Sequence, residues 1–292
     1  MGLGRIKSET SGQRTGLLRG FSLEMTGKDV QALEEAADLL PPGTRVNVTY
    51  LGNEDFTTRV NAARVVRERG LTPVPHLSAR RLRSKQELEE FLAALGEAGA
   101  TEEVCVVGGD LGEPAGPYED SLAVIRSGLL PEYGVRQVSV AGYPEGHPHI
   151  APHLLWRLLE EKHRALRQQE IGMTVITQFG FDSGLVVDWV GEARDHGIGS
   201  PVRVGVPGPA GVKRLLRYAR RFGVKSSAGI AQKYGFSLTN LLGTAGPDRF
   251  ILSLGERLDP VGHGEVLLHF YTFGGLRATA QWVRDNESAV AS

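Results

Sequence analysis

Polar and ionisable side chains recur along the chain at the points where short apolar runs end. Carboxylates and imidazoles exchange protons, and amides and hydroxyls bind the polar groups of small ligands. A fold that brings these run ends to one place would build a site for proton chemistry on a small molecule. The residues concerned are Glu24, Thr49, Tyr50, His76, Asp110, Tyr143, His147, Gln178, His269 and Tyr271.

The runs themselves have the composition of buried β-strands. They are rich in Val, Ile and aromatic residues, and several are apolar almost throughout, as in strands that are covered on both faces. The eight predicted strands cover residues 21–25, 45–50, 72–78, 103–109, 136–144, 173–179, 202–207 and 266–273.

Amphipathic helical patterns separate the predicted strands. Alternation of strands and helices over roughly 250 residues predicts a single (β/α)8 or TIM barrel, an α/β fold whose active site lies at the C-terminal strand ends. The segment 224–264 predicts an extra helical segment between strands seven and eight. A doubly wound sheet is the alternative, but Thr26-Gly27-Lys28-Asp29 after the first strand lacks that fold's glycine fingerprint. The predicted helices cover residues 30–40, 57–69, 85–98, 118–130, 153–169, 185–196 and 212–222.

Local signals mark the helix over 85–98 most clearly. Ser84 is the predicted N-cap, and Glu87 three residues later completes a capping box. Apolar residues follow at the spacing of one helical face, which predicts that this face is buried. These residues are Leu88, Phe91, Leu92 and Leu95.

The amino-acid composition limits the kinds of partner that the protein can bind and the number of domains that it can form. The 292 residues include 33 basic and 34 acidic side chains, a net charge of -1, which argues against a nucleic-acid or membrane-surface protein. The one cysteine, Cys105, excludes an internal disulfide and indicates a cytoplasmic location. We expect a flexible N-terminal arm over residues 1–19 and one barrel over 20–288. We expect no metal, although His147 and His149 are close in sequence.

A basic run, Arg80-Arg81-Leu82-Arg83, follows the third predicted strand and enters a helix N-terminus. It is either a solvated loop or an anion clamp for a phosphate or carboxylate at the rim.

Seven motifs together carry a family resemblance. The segments FSLE, VNVTY, PVPHLS, GGDL, VAGYPEGHP, VITQFGFD and HFYT occur in this order between Phe21 and Thr272. They resemble the catalytic barrel of methylenetetrahydrofolate reductases. The resemblance implies a (β/α)8 barrel that reduces 5,10-methylenetetrahydrofolate to 5-methyltetrahydrofolate with NADH or NADPH, through FAD. It also implies a role in one-carbon metabolism and methionine biosynthesis.

The resemblance assigns roles to individual positions. Glu24 corresponds to the general acid, and it can act so only if a largely apolar pocket holds it protonated. Asp110 corresponds to the aspartate beside the pterin, where its charge suits an iminium cation. Gln178 and Tyr271 correspond to folate-binding positions. The positions that line the flavin in the family are Thr49, His76, Gly109, Ala141, Tyr143 and His147.

Departures from the family pattern concentrate on the flavin side. Gly108 stands where the family has arginine, and Gly180 interrupts the aromatic run after Gln178. The resemblance therefore favours a member without stably bound FAD, in which NADH or NADPH transfers hydride directly. The small residues Gly108 and Gly180 are expected to leave room for this arrangement. The alternatives are an ordinary FAD-dependent reductase and a folate-binding barrel without reductase activity.

Overall fold

The computed structural model describes residues 16–52, 54–221 and 244–291. Eight parallel strands close into a barrel in the order β1-β10-β7-β6-β5-β4-β3-β2. The remaining two strands, β8 and β9, form a short antiparallel pair outside it. The strands are β1 Ser22–Thr26, β2 Arg45–Thr49, β3 Thr72–Ser78, β4 Glu103–Val107, β5 Gln137–Gly142, β6 Gly172–Thr177, β7 Val202–Pro207, β8 Ala210–Gly211, β9 Thr244–Ala245 and β10 Val266–Tyr271.

The predicted (β/α)8 barrel is confirmed, and the differences lie at strand ends. The fourth strand ends at Val107 rather than at 109, because Gly109 has a φ of +98° that no strand adopts. The fifth ends at Gly142, before Tyr143 and Pro144 leave the sheet. Proline cannot donate to a strand ladder, so its position next to the strand end is expected.

Helices follow most of the strands and cover the outside of the barrel. The prediction over 118–130 was wrong in one respect, because two short helices replace one. Gly128, with a φ of +78°, interrupts the chain there, and Ser127 Oγ donates to Val124 O at 2.7 Å. The helices are α1 Val30–Ala36, α2 Phe56–Glu68, α3 Lys85–Glu97, α4 Ser121–Ile125, α5 Leu129–Glu132, α6 Pro152–Gln168, α7 Ser183–Asp195, α8 Val212–Arg221, α9 Asp248–Arg257, α10 Pro260–His263 and α11 Leu276–Ala291.

The start of α3 follows the sequence signals with one change. Ser84 Oγ accepts from Glu87 N at 3.0 Å, as predicted for an N-cap. The Glu87 carboxylate, however, accepts from Arg83 N at 2.6 Å, so the reciprocal bond reaches one residue beyond the expected one. The predicted apolar face of α3 is buried throughout.

The extra segment before β10 contains α9 and α10, so its helical character is confirmed within 244–291. Residues 1–15 and 222–243 lie outside the described residues. Leu17 and Leu18 are buried in the core, so chain packed against the barrel begins before residue 20. In the described part of the chain, no helix has the length and apolar character needed to cross a membrane.

Polar side chains close the N-terminal end of the barrel. Arg45 Nε donates to Glu103 Oε2 at 2.7 Å, and Gln137 Nε2 donates to Thr174 Oγ1 at 2.8 Å. These residues lie at or near the starts of their strands. Above them Val74, Cys105 and Ile176 pack together in the interior. The active site of this fold lies at the opposite, C-terminal end of the strands.

Candidate active site

The barrel brings the polar strand ends together at its C-terminal rim. Side chains alternate along a strand, so Ser22 and Glu24 on β1 share the inward face with His269 and Tyr271 on β10. The register pairs Ser22 with His269 directly. Glu24, His76, Gln178 and Tyr271, which lie far apart in sequence, all belong to the upper part of this interior and its rim.

Glu24 is the acid of this interior. Its side chain is 20% exposed, and its Oε2 atom lies 3.7 Å from His269 Nε2. On the opposite side of the imidazole, His269 Nδ1 lies 2.9 Å from Ser22 Oγ. Thr272 Oγ1 donates to Glu24 O at 2.7 Å and joins the two strands just above. Glu24 is therefore accessible from the mouth while buried polar groups support it from below.

Burial shifts the pKa values of three other titratable groups of this interior toward their neutral forms. Burial, with smaller contributions from His269 and Arg59, lowers the pKa of His76 to about 3. Burial, together with the charge of Glu24, raises the pKa of the Cys105 thiol to about 12 and that of Tyr271 well above its usual range. Desolvation disfavours the charged form of each of these three groups.

Gln178 follows β6 with half of its amide engaged. Its Oε1 accepts from Phe179 N at 3.0 Å, and its backbone N–H donates to Gly142 O at 2.8 Å. These bonds fix the side chain at the rim and leave the Nε2 donors for a ligand. Tyr271 differs, because its hydroxyl donates to Thr177 O at 3.1 Å. Tyr271 therefore offers its ring, rather than a free hydroxyl, to the site.

Two of the predicted flavin-side residues, Tyr143 and His147, follow β5 and contact each other. The rings of Tyr143 and His147 meet edge to face at 5.0 Å, and His147 Nδ1 accepts from His149 N at 3.2 Å. Burial lowers the pKa of His147, and His149 adds to this effect. Within the described ranges, no group of three His, Cys, Asp or Glu side chains is placed to hold a metal ion. Thr49 ends β2, and Ala141 lies on β5.

Three glycines predicted to matter have different surroundings. A Cβ on Gly109 would lie 2.5 Å from Ser78 Oγ, so this position requires glycine. Gly108 is open, with nothing within 4 Å of a Cβ, which agrees with the expected space. A Cβ on Gly180 would lie 2.9 Å from Glu145 Oε1, the end of a flexible side chain, so the space that this glycine leaves is next to Glu145.

Asp110 lies on the rim and outside the barrel interior. Its side chain is 76% exposed, and Arg81 NH2 lies 2.7 Å from its Oδ1. The Arg81 guanidinium lies 5.0 Å from the Tyr50 ring centroid, and a Cβ on Gly52 would displace it. Arg81 thus fixes Asp110 and offsets part of its charge.

The other two arginines of the basic run have structural partners. Arg80 donates to the carbonyl oxygens of Leu111, Gly112 and Glu119, and so holds the loop after β4. Arg83 pairs with Glu87 on α3. Only Arg81 is directed toward Asp110 at the mouth.

Ser22 and Asn47 were not named from the sequence, whereas His269 was placed among the strand-end residues without a specific role and Arg81 was included only as part of the basic run. Asn47 is buried opposite Glu24 in the β1–β2 register, and its Oδ1 has no hydrogen-bond partner within the described residues. A buried unpaired polar atom is unusual and commonly marks a functional place. The alternation on β1 and β10 was the available signal for Ser22 and His269. No local signal identified Arg81 among its neighbours.

A closed parallel barrel with an acid and an amide at its C-terminal rim defines a TIM-barrel protein whose site suits proton transfer to a small molecule. The methylenetetrahydrofolate reductase family model matches residues 21–235, and the chain belongs to this family. A 5,10-methylenetetrahydrofolate reductase from Pectobacterium carotovorum subsp. carotovorum is 30% identical over 183 residues. The match covers 62% of this chain and 59% of that protein, so it spans less than two thirds of the relative.

Solved structures share the fold at low identity. An uncharacterized protein from Clostridium thermocellum, which binds two copies of 5-methyl-5,6,7,8-tetrahydrofolic acid, has a TM-score of 0.59 at 10% identity. The comparison covers 97% of this chain and 99% of that one. Dihydropteroate synthase from Thermus thermophilus has a TM-score of 0.49 at 16% identity, with 92% and 93% covered. The first comparison shows the shared barrel.

Proposed function

We propose that this protein reduces 5,10-methylenetetrahydrofolate to 5-methyltetrahydrofolate with NADH or NADPH, without stably bound FAD. The observation that carries the proposal is the position of Glu24, a partly accessible acid at the barrel mouth. A general acid for ring opening needs access to the substrate and a fixed position beside it. Family membership supplies the substrate class.

Glu24 protonates a ring nitrogen of the substrate, and the imidazolidine ring opens to an iminium cation. Gln178 directs its amide donors at the pterin, since its Oε1 is engaged by Phe179 N. Asp110, held by Arg81, contributes a negative charge near the cation at the rim. NADH or NADPH supplies the hydride that completes the reduction.

We expect no permanently bound FAD. Arg80 is engaged by three carbonyl oxygens and Arg81 by Asp110, which supports a site without a cation dedicated to holding a diphosphate permanently. His147 has a lowered pKa and adds no positive charge near neutral pH. A cosubstrate that binds and leaves in each cycle needs no such permanent site. In the proposed reaction the hydride therefore passes directly from NADH or NADPH to the substrate.

Two measurements test this proposal. Absorbance of the purified protein near 450 nm reports bound flavin, and initial rates at varied NADH and methylenetetrahydrofolate report the order of binding. Without a group that stores the hydride, both substrates must occupy the mouth together. We expect colourless active protein, no stimulation by added FAD and intersecting double-reciprocal lines.

The alternatives predict different results. Yellow protein with parallel lines would identify an ordinary FAD-dependent reductase. Binding of 5-methyltetrahydrofolate without any folate-dependent oxidation of NADH or NADPH would identify a folate-binding barrel without reductase activity. The folate-binding protein from Clostridium thermocellum with a similar fold makes this second alternative worth testing.

A further inference from the structure

The seam between β1 and β10 contains a row of three polar side chains. Ser22 and His269 are buried, and they are paired in register across the seam. Ser22 Oγ lies 2.9 Å from His269 Nδ1, and His269 Nε2 lies 3.7 Å from Glu24 Oε2. Each imidazole nitrogen therefore faces a different partner, and only Glu24 reaches the mouth.

The hydroxyl of Ser22 contacts one of the two imidazole nitrogens of His269, to which it can donate or from which it can accept. Ser22 Oγ can donate either to His269 Nδ1 at 2.9 Å or to Leu268 O at 3.5 Å. When Ser22 Oγ donates to Nδ1, a proton on Nε2 is directed at Glu24 Oε2, 3.7 Å away. The opposite direction would place the lone pair of Nε2 against the carboxylate, which repels it.

Glu24 needs such a donor after it has given up its proton. Cys105 on β4 and Tyr271 on β10 interact with the charge of Glu24, and Asn47 on β2 is its partner in register; His76 on β3 is influenced by His269 and by Arg59. His76 and Cys105 stay neutral because of burial, and Tyr271 donates its hydroxyl to Thr177 O. The His269 N–H is the donor directed at the carboxylate. Catalytic contacts are often long without ligand and shorten in the complex.

We infer that Ser22 and His269 are positioning residues for the acid. Ser22 fixes the His269 tautomer, and His269 Nε2–H orients Glu24 and stabilises the carboxylate formed when the proton leaves. This inference rests on the proposed function for its kinetic consequence, whereas the tautomer does not depend on activity.

Ser22→Ala and His269→Leu test the inference against a matched control, Ser139→Ala. Ser139 is a second buried serine on an inward-facing barrel position, in β5 and away from His269. We expect kcat to fall by about 10- to 100-fold in His269→Leu, less than the 10²- to 10⁴-fold typical of removing an acid. A smaller fall is expected in Ser22→Ala, with wild-type behaviour in Ser139→Ala. The dissociation constant for 5-methyltetrahydrofolate should change by less than about threefold, since His269 does not face the ligand.

The pH profile provides a readout that a purely structural role would not change. Loss of the Nε2–H donor destabilises the carboxylate, so the alkaline decline of kcat should move to higher pH in His269→Leu. His269→Gln, which can place an amide N–H near Nε2, should recover part of the rate and of the profile. Wild-type kcat and profile in both Ser22→Ala and His269→Leu would overturn the inference. Weaker folate binding at unchanged kcat would also overturn it, by making His269 a substrate contact.

Nitrogen-15 NMR of the histidine side chains separates this inference from the proposed function. We expect His269, assigned by its absence from His269→Gln, to carry its proton on Nε2 in the wild type. Ser22→Ala should shift the tautomer balance, and Ser139→Ala should not. If the wild type shows no reductase activity, the proposed function fails while this measurement still decides the tautomer. An Nδ1–H tautomer in the wild type would overturn the inference whether or not the protein is active.

Discussion

Arg81 and Asp110 form an ion pair on the barrel rim in which two guanidinium nitrogens approach one carboxylate oxygen. Nε and NH2 of Arg81 lie 2.8 and 2.7 Å from Asp110 Oδ1. Asp110 is largely exposed, so the pair contributes little to stability, about 0–1 kcal/mol. Its consequence is a carboxylate that is fixed in direction beside the site.

That relationship predicts coupled kinetic effects. Asp110→Asn should lower kcat/KM on the order of 10-fold or more, because it removes the charge opposite the iminium cation. Arg81→Met should lower kcat/KM similarly, because it releases Asp110. The double variant with both substitutions should have a kcat/KM no lower than that of the less active single variant. Steady-state kinetics of the wild type, the two single variants and the double variant give the coupling energy between the two residues. Arg83→Met, which removes a neighbouring arginine, is the control, and additive losses would exclude the positioning role.

Gly109→Ala should destabilise the fold while Gly108→Ala should not. Gly109 has a φ of +98°, and its Cβ would lie 2.5 Å from Ser78 Oγ, whereas Gly108 is open. Backbone strain of this kind costs about 1–3 kcal/mol, against about 0.5 kcal/mol or less for an unhindered site. Urea unfolding measures both free energies. Equal values for the two variants would contradict the structural account of the loop after β4.

Glu24→Gln should abolish most reductase activity with little effect on folate binding. The amide keeps the shape of the side chain but cannot deliver an acidic proton, and such losses are typically 10²- to 10⁴-fold. Turnover and the dissociation constant for 5-methyltetrahydrofolate are the two measurements. Glu113→Gln removes an exposed carboxylate from the loop after β4 and serves as control. Retention of more than about a tenth of wild-type turnover would show that Glu24 is not the acid.

Gln178→Ala should chiefly weaken folate binding. Removal of the amide leaves a polar group of the pterin without a hydrogen-bond partner. This should weaken the binding free energy by about 1–3 kcal/mol, which raises Kd roughly 5- to 150-fold. Calorimetric titration with 5-methyltetrahydrofolate measures the change. Gln137→Ala, at the closed end of the same barrel, should alter stability but not affinity. Unchanged affinity in Gln178→Ala would remove this residue from the site.

His76 should make the protein less stable in mild acid. Its folded-state pKa of about 3 lies below the usual 6.5, so the unfolded chain binds the proton more readily. Its contribution to stability is complete above about pH 6.5 and decreases as the pH falls, by up to about 1.4 kcal/mol per pH unit. The free energy of unfolding, measured in urea at about pH 7 and about pH 5.5, should fall with the pH in both proteins. The fall should be about 1 kcal/mol smaller in His76→Gln than in the wild type. An equal fall of the unfolding free energy in both proteins would contradict the burial of a neutral His76.

The strand and helix pattern could be predicted closely because it is a local property. Runs of Val, Ile and aromatic residues, and the apolar face of α3, record which surfaces are buried, and all eight barrel strands lie where the sequence placed them. The break in the helix at Gly128 was not predicted, because the sequence does not show whether an isolated glycine within a helical pattern adopts a positive φ. The neighbouring Ser127 hydroxyl and the positive φ appear only in the folded chain.

The sequence by itself determined the barrel, the family and the residue types at the strand ends. Only the tertiary structure decided which of those residues meet. Ser22 and His269 are 247 positions apart, and they touch because barrel closure pairs the first strand with the last. Arg81 meets Asp110 across two loops, while Arg80 and Arg83 find structural partners nearby. Periodicity specifies the face on which a side chain lies, whereas pairwise contacts depend on ring closure and loop paths, which no local pattern encodes.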